Sequence, residues 1–163
     1  MPAIADAAAV LAAGRFLAEA AQLFGVPVVV TEQYPQGLGH TVAEWQPFCG
    51  DVRTKQRFSA VEALGWPAAS DPGVERDQVV LAGIEAHVCV AQTAFDLLSL
   101  GYRVWVVADA RGSRRPSDRD AALARLRDAG VVLTTAEAVA FEWCETAADP
   151  KFRAFSALVK QRS

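Results

Sequence analysis

The stretch VVLAGIEAHVCVAQTAFDLLSLGYRVWVVADARGSR, residues 79–114, holds one complete unit of an alternating pattern. Gln78-Val79-Val80-Leu81-Ala82-Gly83 is short and apolar almost throughout, which predicts a strand buried on both faces. From about Glu85 to Leu100 the period changes, with Val90, Ala94, Leu97 and Leu98 on one helical face and Gly101 closing the segment. Arg103 to Val107 is apolar again and predicts a second strand. A strand, a helix and a strand in that order predict a parallel pair joined by a crossover helix.

The same alternation extends in both directions. Upstream, Val10, Ala13, Leu17, Ala20 and Phe24 recur at helical spacing; Gly25 and Pro27 stop that helix and release the apolar run Val26 to Val30. Asp51 to Lys55 is a weaker strand signal. Downstream, a Ser117-x-x-Asp120 capping box predicts the start of a helix carrying Leu123 and Leu126. Gly130 ends it, Val131 to Leu133 predict a strand, and Pro150 to Lys160 predict a docking helix with Phe152, Phe155 and Leu158. The expected fold is α/β, a mostly parallel sheet between two helical layers, formed by residues 1–163 as one domain without repeats or linkers. Irregular segments are expected at 31–52, 65–77 and 109–116.

Composition narrows the partners. With 163 residues, 52% hydrophobic and 21% charged, the chain has apolar surface enough for a sizeable core and is not of the disordered class. A formal charge of −3 offers no attraction to nucleic acid or to anionic membranes, so a small-molecule substrate or a protein partner is expected. Three cysteines make no disulfide framework and point to a reducing, cytoplasmic setting. The alanine-rich start lacks a basic leader and carries Asp6, Arg15 and Glu19, which reads as a helix rather than an export signal. No uninterrupted apolar run reaches the roughly 18 residues of a membrane span.

In a parallel sheet the reactive groups gather beyond the carboxyl ends of the strands. Cys89 follows the strand ending at Gly83, in the first turn of the next helix, where free N–H groups and the helix dipole favour a thiolate. Position alone leaves it two readings, a nucleophile or a small buried apolar residue. Lys55 ends the strand at 51–55 and would reach the same edge, where a cation further favours a thiolate; between Arg53 and Arg57 it also reads as a solvated charge. Asp109 follows a strand too, and its expected job is anchoring a loop. His40 and His87 are the only histidines and fit no metal motif, so no metal is expected. Gly37-Leu38-Gly39 does not form a dinucleotide fingerprint, so no cofactor is expected, and the segment from Thr31 to Gly39 reads as a shaped loop over a pocket.

Three motifs together, VPVVVTEQYPQGLGHT at 26–41, TKQRFSA at 54–60 and the stretch at 79–114, resemble the isochorismatase-like cysteine hydrolases, and the isochorismatase domain-containing subgroup in particular. The similarity runs from Pro2 to about Lys160. It implies a six-stranded parallel sheet and a Cys, Lys and Asp triad in which Cys89 matches the nucleophile and Lys55 the lysine. A cis peptide bond between Ile84 and Glu85 would aim a backbone N–H at an oxyanion beside Cys89. Gln33 and Tyr34 in the preceding loop, with His87, are candidates for the substrate pocket. The resemblance also implies an apolar first strand ending in Asp-x-Gln, central in the sheet between Val26–Val30 and Val79–Ala82. Its aspartate is the triad base, and this chain starts after it, so Asp6 is not that residue. Without the strand, a gap with unpaired edges is expected. The histidine-rich loop of the metal-binding members is absent as well. The activity implied is hydrolysis of a small amide or related molecule; the isochorismate branch cleaves a vinyl ether without a covalent intermediate. The alternative is an impaired member that serves as a binding or oligomer-assembly subunit. Homo-oligomers are the family habit, and Trp45, Phe48, Trp143, Phe152 and Phe155 are candidates for the contact.

Overall fold

A computed structural model describes residues 3–162; Pro2, where the resemblance begins, lies outside them. Helix α1 spans Ala7–Phe24. It ends where Gly25 takes φ +73°, its N–H donating to Gln22 O, while Val26 N–H donates to Ala21 O at 2.8 Å. These bonds satisfy the last carbonyls, and only glycine adopts that φ without strain. Strand β1 covers Val30–Gln33 and β2 Val52–Lys55, paired parallel from Val30 opposite Val52 to Gln33 opposite Lys55. Between them lie the short helix α2, Pro35–Leu38, and a 3-10 turn, Ala43–Phe48. After α3, Val61–Leu64, strand β3 runs Gln78–Ile84 and leads into a π-turn, Ala86–Val90, and helix α4, Ala91–Ser99. Strand β4, Arg103–Gly112, pairs parallel with β3 and with β5, Val132–Thr134; helix α5, Pro116–Asp128, crosses between the latter two. Helices α6, Ala136–Cys144, and α7, Phe152–Gln161, complete the chain.

The core sits on both faces of β3–β4–β5. Val107 and Ala110 pack with Ala13, Phe16 and Leu17 of α1, Val139 of α6 and Phe155 of α7. Val104 and Val106 pack on the other face with Ala94 and Leu97 of α4 and Leu126 of α5. Val106 and Val107 are adjacent in sequence, fully buried and on opposite faces, the period-2 alternation of a strand covered twice. Among the described residues α1 is the one helix with the length and composition of a membrane span, and its Ala13, Phe16, Leu17 and Ala20 are buried in this core.

The sheet is split. β1 bonds only β2, and β3 bonds only β4, so five strands form a pair and a triplet with a seam between β1 and β3. The seam lies where the missing strand was expected. At its lower end a cavity of about 310 Å³ opens between Phe24, Val26, Val80, Trp105 and Trp143.

Several expected boundaries moved for local physical reasons. The run Val26–Val29 is apolar but lies outside the ladder, because its seam edge has no neighbour and Pro27 lacks an N–H. The capping box at Ser117 does not form; α5 opens two residues earlier, with Pro116 in the first helical positions and extended Arg115 as its N-cap, the geometry proline imposes on both sites. β4 runs five residues beyond Val107, since the register shifts between Leu81 and Gly83 and pairing resumes with Gly83 opposite Arg111. Helix α6 was not foreseen; Thr135 caps it by accepting Ala138 N–H at 3.3 Å.

The aromatic residues proposed for self-association mostly face inward. Phe155 is fully buried, edge-on to Phe24 and Phe141, and Phe48 is buried edge-on to Trp45. Trp45 in turn lies against Gly14, where a Cβ would come within 2.7 Å of its ring. The large apolar side chains that stay exposed include Tyr34, Leu38, Phe58 and Ile84, all at the carboxyl ends of β1, β2 and β3.

Candidate active site

Lys55 ends β2 and turns its side chain across the seam. Its Nζ donates to Gln33 Oε1 at 2.6 Å, to Phe58 O at 2.7 Å and to Arg57 O at 3.1 Å. Gln33 is its register partner on β1, and the amide's Nε2 donates to Gln56 O at 2.6 Å, which fixes the orientation of Oε1. Burial pushes the Lys55 ammonium down, and the neighbouring Cys89 acts in the opposite direction. Lys55 and Cys89, 34 positions apart and from different sheets, thus become neighbours at the carboxyl ends of the strands.

Cys89 sits in the π-turn after β3, partly buried, and α4 begins two residues later. Thr93, one turn on and buried, ties this segment to the lysine loop. Its Oγ1 donates to Cys89 O at 2.7 Å and accepts Ala60 N–H at 2.9 Å, so one hydroxyl bridges the two reactive segments. Nothing in the sequence singled out Thr93; its signal was a polar residue on the buried face of a helix.

Other sequence candidates fall elsewhere. The described residues contain no cis peptide bond, so the Ile84–Glu85 bond expected to be cis is trans. The change of direction is made instead by Gly83 at φ +132° and the π-turn, which need no such bond. His87 turns its ring to Ser113 Oγ at 3.1 Å, Glu85 Oε2 at 3.3 Å and Asp118 Oδ2 at 3.9 Å, an ionic cluster that does not include Lys55. Tyr34 is exposed at φ +41°, with its ring on Gly37 and its N–H donating to Lys55 O at 2.9 Å. Asp109 is an anchor: Oδ1 accepts Ala136 N–H at 2.8 Å at the start of α6, and Oδ2 pairs with Arg162. Asp6 is exposed and faces Arg119 at 4.0 Å. Among the described residues no three His, Cys, Asp or Glu side chains gather as metal ligands.

Glu32 was also missed. It is buried on β1, accepting Thr41 N–H and Thr41 Oγ1–H at 2.7 Å each and facing His40 Nδ1 at 2.9 Å. The Thr41 hydrogen bonds, helped by His40, hold its carboxyl down at about 2. Glu32 thereby pins the loop that leaves the site. Its charge, with burial as the larger cause, pushes the Cys49 thiol up.

The chain is a parallel α/β fold with a cysteine after one strand and a lysine ending another at the same edge. Residues 1–138 match the isochorismatase domain, and the chain belongs to that family. It is 42% identical over 161 residues to isochorismatase domain-containing protein 1 of Danio rerio, covering 98% of this chain and 56% of that protein. It is 42% identical over 149 residues to isochorismatase domain-containing protein 2 of Homo sapiens, covering 91% and 71%. The chain therefore spans about half the length of the zebrafish relative. The fold is similar to the structure of MAR1 ribonuclease from Caenorhabditis elegans, with a TM-score of 0.87 and 37% identity over 98% of this chain and 82% of that one.

Proposed function

We propose that the chain is a cysteine hydrolase of a small amide or related molecule, with Cys89 as nucleophile and Lys55 as the cation beside it. The observation that carries this reading is the meeting of their two segments: Thr93 Oγ1 donates to Cys89 O and accepts Ala60 N–H, while Lys55 Nζ donates to Phe58 O of the same loop. The sulfur attacks the amide carbon to form a thioester, and the carbonyl oxygen carries the negative charge of the tetrahedral intermediate. The amine leaves with a proton, and water then cleaves the thioester to acid and free thiol. In the pattern that the resemblance implies, the proton transfers fall to the aspartate of an Asp-x-Gln motif, which residues 1–163 do not include. Gln33 orients Lys55, and exposed Tyr34 and Phe58 meet the substrate. The exposed apolar residues at this edge also support a homo-oligomer, and the free thiols a cytoplasmic setting.

Iodoacetamide labelling with peptide mapping tests the nucleophile. Cys89 reacts first, since Cys144 is buried and the Cys49 thiol is pushed up. Preferential labelling of Cys49 or Cys144 overturns the assignment. A panel of small amides, with a labelled RNA as the competing substrate, tests the reaction. Loss of amide turnover in Cys89→Ala supports it; RNA cleavage that survives Cys89→Ala, with no amide turned over, overturns it.

A further inference from the structure

The turn that carries Cys89 is also held by a set of polar and ionisable side chains that does not include Lys55. Glu85, the residue between β3 and the π-turn, directs Oε1 to Arg114 Nε at 2.9 Å. Its Oε2 is buried without a hydrogen-bond partner, 3.3 Å from His87 Nδ1. His87 also contacts Ser113 Oγ, itself fully buried, at 3.1 Å, and its Nε2 faces Asp118 Oδ2 at 3.9 Å. Glu85 and His87 thus bracket the start of the turn, while Ser113 and Arg114 lie in the loop that follows β4 and Asp118 in the first turn of α5. The Glu85 backbone is engaged as well, its carbonyl accepting the N–H groups of Val88 and Val90 on either side of Cys89.

We propose that Glu85, clamped by Arg114 and His87, is a positioning residue that fixes the Cys89 turn so that the thiol meets Lys55. The inference rests on the nucleophile reading above. An exposed ion pair would contribute little, but Glu85 is largely buried and its second oxygen has no aligned partner. A buried carboxylate in that state is retained only where its neighbours hold it, and the strand end cannot shift without breaking Arg114 and His87 away together. Small displacements of a reactive group are costly, so loosening this clamp acts on the thiol even though none of its members touches Lys55.

The test is the second-order rate of Cys89 alkylation by iodoacetamide in the full chain, with Cys49 as the internal standard. Glu85→Gln, close in shape but uncharged, is expected to slow Cys89 about tenfold while Cys49 keeps its rate. Arg114→Ala behaves likewise, Arg114→Lys restores most of the rate, and the Glu85→Gln/Arg114→Ala double variant is no slower than either single one. Selective labelling of Cys89 that is unchanged in Glu85→Gln overturns the clamp and leaves the nucleophile standing. Additive losses, or parallel changes at Cys49 with a fall in melting temperature, also overturn it, since they indicate general loosening. Wild-type labelling that does not favour Cys89 overturns both readings.

Discussion

The two sides of the seam are built differently. The β3–β4–β5 triplet is covered by helices on both faces, and its central strand buries Val104, Val106 and Val107 almost completely. The β1–β2 pair has four residues per strand, no fully buried side chain, and Val52 left 41% exposed. Cys89 belongs to the well-packed side and Lys55 to the thin one, so the meeting of their segments measures how well the two halves are held together. Three devices on the thin side compensate: the Gln33 bond to Lys55, the Glu32 bonds to Thr41, and the Thr93 bridge from Ala60 to Cys89 O. Polar side-chain bonds replace the apolar contacts and ladder bonds that the other half has in abundance.

The largest effect should come from filling the seam. An apolar strand ending in Asp-x-Gln, fused ahead of residue 1, is expected to raise the melting temperature and to increase amide turnover roughly a hundred- to ten-thousand-fold, the range of general-base assistance. Changing its Asp to Asn should keep the melting gain and lose the rate. An unfused chain that melts as high and turns over as fast would remove the seam from the explanation.

Core packing comes next. Phe155→Ala, on the well-packed side, should cost about 3–5 kcal/mol in urea unfolding, whereas Val52→Ala on β2 should stay within about 0.5 kcal/mol. Similar costs at the two sites would abolish the asymmetry.

Thr93→Val keeps the shape but leaves the buried Ala60 N–H without an acceptor, at about 1–3 kcal/mol. It should also slow Cys89 alkylation, and Thr93→Ser should recover both; a stability loss with no change at Cys89 would show that the bridge braces the fold without aligning the pair.

The smallest effect is a pH dependence. The folded Glu32 carboxyl lies at about 2, below its unfolded value, so its contribution is present in full above the unfolded value, which is roughly 4.3 for a free Glu side chain, and fades as pH falls through about 2. The melting difference between wild type and Glu32→Gln should therefore hold from pH 7 to about 5 and shrink toward pH 2. A difference that already vanishes at pH 5 would mean the Thr41 bonds do not hold the carboxylate.

The triplet was legible because it is made of local patterns: apolar runs of strand length, amphipathic α4, and Gly25 and Gly101 at helix ends. These depend on backbone geometry and burial within a few turns of chain. The thin side was less legible. Val26–Val29 has the composition of a strand, yet a ladder needs a neighbour on at least one edge, and composition does not record whether one is there. Likewise Ser117-x-x-Asp120 satisfies a capping pattern, but Pro116 takes the helix start because its φ is already set.

The sequence by itself determined the α/β class, the order of most elements and the family. It did so through periodicity and short motifs, which are properties of neighbouring residues. Only the tertiary structure decided that the segments of Lys55 and Cys89 meet, that Thr93 joins them, that Glu85 and His87 face Arg114, Ser113 and Asp118, and that Glu32 pins a loop. Each of these depends on side chains tens of positions apart meeting at hydrogen-bonding distance, and that is settled by how the two halves of the sheet pack.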